Sequence, residues 1–200
     1  SEAKKIDFSS ATFKINLAVD RLPNFKVMNR TVKPGEALEP GPEHRGTIHF
    51  EDRMDIIDQS YLEAKTYGRA SSRPLIEMTI PSALDNTISP PGKHVVQLFV
   101  QYAPYELANG ESWANPETKR KFAESVYRVI EQYAPGFTES IIPGSEDLLS
   151  PLDLEQIFSL KGGNIFHGSI RLDQLYFNRP VAGYTQYDTP VEGLYLCGAS

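Results

Sequence analysis

Phe13-Lys14-Ile15-Asn16-Leu17-Ala18-Val19 alternates apolar Phe13, Ile15, Leu17 and Val19 with Lys14, Asn16 and Ala18. That period of two is the signature of a strand with one buried face. Two more strands are predicted downstream, over residues 75–81 and 93–102. Between them, Asp85-Asn86 and Pro90-Pro91-Gly92 supply turn chemistry, so the pair is expected to lie antiparallel. A short strand is also expected over residues 47–50.

Helices frame these strands. Asp52 is placed to cap a helix running to Tyr67, with Met54, Ile57, Tyr61 and Ala64 on one stripe and Gly68 as its stop. The clearest helix opens with Asn115 as cap and Pro116 in its first turn. It presents Phe122, Val126, Val129, Ile130 and Tyr133 on one face and ends at Pro135-Gly136. Its other face, with Lys119, Lys121, Glu124, Arg128 and Glu131, is expected to be solvated. Residues 30–46 hold Pro34, Gly35, Pro40, Gly41 and Pro42, which excludes sustained helix or ladder and predicts a surface excursion of the kind that serves as a lid.

Composition narrows the function. Two hundred residues, 40% hydrophobic and 23% charged, suffice for one core. Twenty Lys plus Arg against 26 Asp plus Glu leave a net charge of -6, without a broad cationic face for nucleic acid. A single cysteine, Cys197, excludes an intrachain disulfide framework and fits a reducing compartment; set inside an apolar run, it reads as a small buried hydrophobe rather than a catalytic thiol. With four histidines, and with His44 and His49 lacking partners at metal spacing, no metal site is expected. No G-x-S-x-G marks a serine nucleophile. No apolar run approaches the roughly 18 residues of a membrane span. The first residues, SEAKKIDFSS, have neither an initiator Met nor a signal-type core, and the chain is expected to start inside a longer protein.

The last forty residues are the most distinctive. Gly162-Gly163-Asn164-Ile165-Phe166-His167-Gly168 is a glycine-rich loop that lets main chain approach either a ligand or another segment closely. His167 is the one group in it with acid-base capability near neutral pH, suited to proton transfer or a hydrogen bond, or else satisfied by local backbone. Leu194-Tyr195-Leu196-Cys197 leads into Gly198-Ala199-Ser200, as a buried parallel strand enters a helix in nucleotide-binding sheets. Such a strand needs neighbours and a crossover helix, and no β-α-β alternation precedes it.

GGNIFHG, LDQLYF, RP and YDTPVEGLYLCGAS, with KINLAVDRLPNF at 14–25, RPLIEMTIPSALDNTISPPGKHVVQLFVQYAPY at 73–105 and YAPGF at 133–137, together resemble the C-terminal part of the phytoene desaturase-like FAD-dependent oxidoreductases. The resemblance implies an α+β fragment of an α/β flavoprotein. Residues 1–160 would be a substrate-domain portion with a mainly antiparallel sheet and helices. Residues 161–200 would be the signature loop and a returning strand of a Rossmann-like FAD domain. It further implies FAD near Gly198, Ala199 and Ser200, with Gly162 and Gly163 toward the flavin. Read from the residues themselves, Asn164, Phe166, Gln174, Tyr176 and Tyr187 are candidates to line a pocket for an apolar or amphipathic small-molecule substrate, or else are surface or edge residues, and His167 is the candidate for catalysis. None of the fourteen glycines is separated from another by one residue, so the G-x-G-x-x-G fingerprint is absent from this chain. Two expectations follow: hydride transfer from a substrate C–H bond to flavin in the full-length protein, or a non-catalytic flavin fold that binds a mitochondrial protein partner. The resemblance places the parent protein in mitochondria, the matrix included.

Overall fold

The computed structural model describes residues 2–9, 12–33 and 36–199. Five strands form one sheet in the order β2-β3-β4-β1-β5, namely β1 (Phe13–Val19), β2 (Ile48–His49), β3 (Leu75–Thr79), β4 (His94–Gln101) and β5 (Asp147–Leu149). Every pairing is antiparallel, with Phe13 opposite Val100, Leu75 opposite Gln101, Ile48 opposite Met78 and Lys14 opposite Leu149. The antiparallel partnership expected of the second and third predicted strands is present as β3 and β4.

Alternation does what it promised in β1, where Phe13, Ile15, Leu17 and Val19 are buried. Ile76, Met78, Val96, Leu98 and Val100 extend the same apolar face across β3 and β4. Each such side chain contributes on the order of 1.5–3 kcal/mol when withdrawn from water. The face is closed by α2 (Pro116–Tyr133), which buries Phe122, Ala123, Val126, Tyr127, Val129 and Ile130. The Phe13 ring meets Phe122 at 5.1 Å and Trp113 at 5.4 Å between centroids. Asn115 caps α2 as expected, its side-chain oxygen accepting from Glu117 N–H at 2.9 Å.

The polar face of α2 is busier than plain solvation. Lys119 pairs with Asp153 at 3.1 Å. Glu131 accepts from the N–H groups of Gly136 and Thr138 and so caps α3 (Phe137–Ser140). The helix α1 (Met54–Tyr67) ends at Gly68 in the left-handed conformation, but its inward residues are Ile56 and Ser60. The expected stripe is turned by about one residue: Met54 and Tyr61 are exposed. Polar anchors set that rotation, since Ser60 Oγ donates to Ser71 Oγ at 2.6 Å and Glu63 accepts from the Ser72 N–H and hydroxyl. Asp52 is not the cap; Arg53 holds that position without a side-chain hydrogen bond.

The described part of the 30–46 excursion is pinned rather than hinged like a lid. His44 is buried, its Nδ1 accepting from Gly41 N–H at 3.0 Å, which leaves Nε2 to donate to the Pro23 carbonyl at 2.9 Å. Arg30 closes the loop on Glu43 at 2.6 Å.

After β5, α4 (Pro151–Phe158) opens on a reciprocal cap in which Ser150 N–H donates to Asp153 and Asp153 N–H donates to Ser150 Oγ. Beyond it, the described residues run in short turns. The strand expected over 194–197 is corrected here: residues 194–197 carry only a bridge between Asp188 and Tyr195. Leu194 and Tyr195 are 53% and 70% exposed, and Cys197 is exposed rather than buried. A two-faced strand takes its hydrogen bonds and cover from flanking strands, and none of the five described strands lies beside it.

Candidate functional site

The glycine-rich loop is built against the chain's own first residues. Gly162 and Gly163 have φ of +63° and +66°, values that favour glycine. A Cβ on Gly162 would lie 3.2 Å from Phe8, and one on Gly163 would lie 2.4 Å from the Pro151 carbonyl oxygen. The close approach these two glycines permit is therefore to other segments of the chain, residues 8 and 151. Glu155 of α4 joins the arrangement, accepting from Gly162 N–H at 3.2 Å and from the Tyr105 hydroxyl. Burial and the hydrogen bond to Glu155 push the Tyr105 hydroxyl above its ordinary pKa, the hydrogen bond being the larger cause.

Asn164 is fully buried and organises the loop from inside. Its Oδ1 accepts from Phe166 N–H at 2.9 Å and Gly168 N–H at 3.4 Å. Its Nδ2 has no hydrogen-bond partner among the described residues. Gln174 clamps the loop to the N-terminal segment: Oε1 accepts from Asp7 N–H at 2.6 Å, and Nε2 donates to the carbonyls of Asp7 and Ser169. Its amide is thereby used within the fold. Arg171 adds an ion pair to Asp7 at 3.1 Å.

The structure brings His167 and Gly198 together. A Cβ built on Gly198, whose φ is +96°, would meet His167 Cε1 at 3.5 Å and nothing nearer. Ala199 is held by its carbonyl, which accepts from Arg179 Nε at 2.7 Å. Ser200 lies outside the described residues. Phe166 is half-buried, while Tyr176 and Tyr187 are 81% and 61% exposed and both have positive φ. None of these residues lines the concavity beside Phe137 or the one beside Trp113.

Two concavities lie elsewhere. One, of about 210 Å³, lies between Leu22, Leu38 and Phe137; the other, of about 440 Å³, lies beside Trp113 and the start of α2. Among the described residues, no group of three His, Cys, Asp or Glu is arranged to hold a metal, and no helix is long and apolar enough to cross a membrane. Sequence reasoning missed the Gln174 clamp, whose partner lies 167 positions away, and α4, whose Ser150-Pro151-Leu152-Asp153 start was a readable capping signal.

No protein-family model matches the chain. It is 49% identical over 197 residues, 98% of its length, to pyridine nucleotide-disulfide oxidoreductase domain-containing protein 2 of Mus musculus, and equally so to that of Rattus norvegicus. It spans about a third (32%) of the length of those curated relatives. A 4,4'-diapophytoene desaturase of Staphylococcus aureus is 26% identical over 135 residues, 66% of the chain and 26% of that protein. These similarities place the chain among the relatives of pyridine nucleotide-disulfide oxidoreductase domain-containing protein 2, within the phytoene desaturase-like group to which its motifs pointed.

Proposed function

We propose that the chain is a substrate-domain portion, joined to a returning segment of a Rossmann-like FAD domain, of an oxidoreductase that removes hydride from an apolar or amphipathic substrate. The observation that supports this most is the 49% identity across 98% of the chain. Relatives named as an oxidoreductase-domain protein and as a desaturase support an oxidoreductase reading.

The residues present fit part of an FAD site. At Gly198 the main chain is free of its own side chain, and among the described residues the neighbour a Cβ would meet is the His167 ring. A flat ring or phosphate can approach such backbone closely. Gly198 and Ala199 would hold the cofactor through their main chain, with Arg179 fixing the Ala199 carbonyl. The space beside Gly162 and Gly163 is filled by Phe8 and Pro151, so these two act by letting the loop fold. A flavin, when bound, accepts the hydride and supplies the redox chemistry. His167 would hold or take a proton at an imidazole nitrogen beside Gly198, and the sheet would carry the substrate and exclude water.

On the same proposal the parent protein would reside in mitochondria, and fractionation of cells making the full-length protein tests this. For the reaction, full-length protein purified with a bound flavin absorbance should be bleached by an amphipathic substrate under anaerobic conditions. Protein that purifies without flavin and forms a stable stoichiometric complex with a protein partner would overturn it in favour of a binding role.

A further inference from the structure

The sheet has a second face, turned away from α2, and Lys14 stands in the middle of it. Antiparallel register puts Phe99 of β4 directly beside Lys14 on one side and Leu149 of β5 on the other. All three are half-buried. The Lys14 ammonium has no ion pair or hydrogen bond among the described residues. Among the described residues, two carboxylates share this face: Asp147 of β5, diagonal to Lys14 and hydrogen-bonded by Asn16, and Glu77 of β3, one strand beyond Phe99. Burial pushes the Lys14 amine below its ordinary pKa, the cost of an ammonium kept among apolar neighbours.

Exposed lysines on edge strands are a common guard against sheet-to-sheet pairing, but β1 is interior, between β4 and β5. Lys14 has no edge to protect. Two residues along the same face, Asn16 is engaged with Asp147 of β5. Asn16 Nδ2 donates to Asp147 Oδ2 at 3.2 Å, and since a carboxylate only accepts, the amide orientation is settled. Asn16 Oδ1 is then a buried acceptor without a partner among the described residues; a carboxylate, itself only an acceptor, does not serve it, so the site centres on Lys14. An ammonium without a partner, set between apolar side chains, is complementary to an anionic group carried on a hydrocarbon tail.

We propose that this face of the sheet is a binding site for an amphipathic carboxylate, with the Lys14 ammonium receiving the carboxylate and Phe99 and Leu149 flanking the adjoining hydrocarbon. One cation matches a monoanion; a phosphate, with more charge and more oxygens, calls for the Arg forks and backbone nests that this face lacks. The proposal rests on the substrate-domain reading and names the substrate class within it.

The test is calorimetric titration of the 200-residue chain with decanoate and with decanol as the uncharged counterpart. Decanoate should bind at least about tenfold more tightly. Lys14→Met should remove that preference while the melting temperature holds or rises, since an unpaired charge leaves the sheet. Lys14→Arg should keep it. With lysines labelled at the side chain, the Lys14 resonance should move with decanoate and stay in place with decanol. Equal affinity for the two probes, no binding of decanoate, or a preference that survives Lys14→Met overturns the proposal. Flavin content and bleaching are measured separately on the full-length protein. Failure there ends the oxidoreductase reading and leaves the carboxylate result standing, while failure of the titration leaves the flavin result untouched.

Discussion

Gly163 lies against the backbone of Pro151 so closely that a Cβ there would sit 2.4 Å from the Pro151 carbonyl oxygen and 2.5 Å from its Cα. The contact joins the signature loop to the first turn of α4, and backbone cannot yield as a flexible side chain can. Gly163→Ala therefore adds a clash to the roughly 1 kcal/mol penalty of left-handed φ, for a loss of about 2–4 kcal/mol. A melting temperature lower by about 5–10 °C is expected. Gly144→Ala is the matched control: φ is +79°, none of the described residues lies within 4 Å of a Cβ there, and only the conformational penalty of about 1 kcal/mol applies. Equal melting of the two variants would show that the loop is not seated on Pro151.

His44 bridges Gly41 N–H and the Pro23 carbonyl from a buried position. His44→Ala leaves both backbone groups unpaired and opens a void beside Phe25, whose ring centroid is 5.9 Å away. Each unmet group costs about 1–3 kcal/mol, so a loss of about 2–4 kcal/mol is expected by denaturant titration. The amides of residues near 41 should also exchange faster. Wild-type stability in His44→Ala would mean that the excursion opens freely as a lid.

Where a signal is local, the sequence carried it. The alternation of β1 and the Asn115-Pro116 opening of α2 were legible because backbone period and capping act within a few residues. The facing of α1 was not, because it is set by Ser60 meeting Ser71 and Glu63 meeting Ser72, polar pairs that a hydrophobic stripe does not reveal. The apolar run at 194–197 looked like a buried strand, yet burial is a property of neighbours rather than of the segment. In the loop, glycine reported a need for space but not what fills it. Phe8 and Pro151 are distant in sequence, as is Asp7, which claims the amide of Gln174.

Acid should destabilise the fold along a specific route. Burial by itself raises the Glu131 carboxyl, but hydrogen bonds from Thr138 and Gly136 outweigh it and hold the pKa below the ordinary 4.5. Asp153 is likewise held below 3.8, with burial opposed by Ser150 and Lys119. For a group lowered in the folded state, the stabilisation is complete above the unfolded pKa and lost as pH falls through the folded one. Stability should be level from neutrality to about pH 5 and decline below it. Glu131→Gln should be less stable than wild type at pH 7, and the two should converge as pH falls through the lowered folded-state pKa of Glu131. A constant difference across that range would show that the Glu131 charge is not what caps α3.

Gly198 offers the sharpest contrast with Gly163. Both have positive φ, but among the described residues a Cβ on Gly198 meets only His167 Cε1, at an ordinary contact distance of 3.5 Å. Within the 200-residue chain, Gly198→Ala should cost no more than the conformational penalty of about 1 kcal/mol, a fall of about 2–4 °C in melting temperature. If the main chain at Gly198 is approached by a flavin, the methyl group fills the space that cofactor needs. The same substitution in the full-length protein should then lower bound flavin several-fold, beyond anything the melting shift accounts for. His167→Ala removes the ring on the other side of that space and should leave flavin content near normal while slowing flavin reduction. Gly198→Ala protein that retains full flavin would remove residues 198–199 from the cofactor site. Equal reduction rates for His167→Ala and wild type would remove the imidazole from the chemistry.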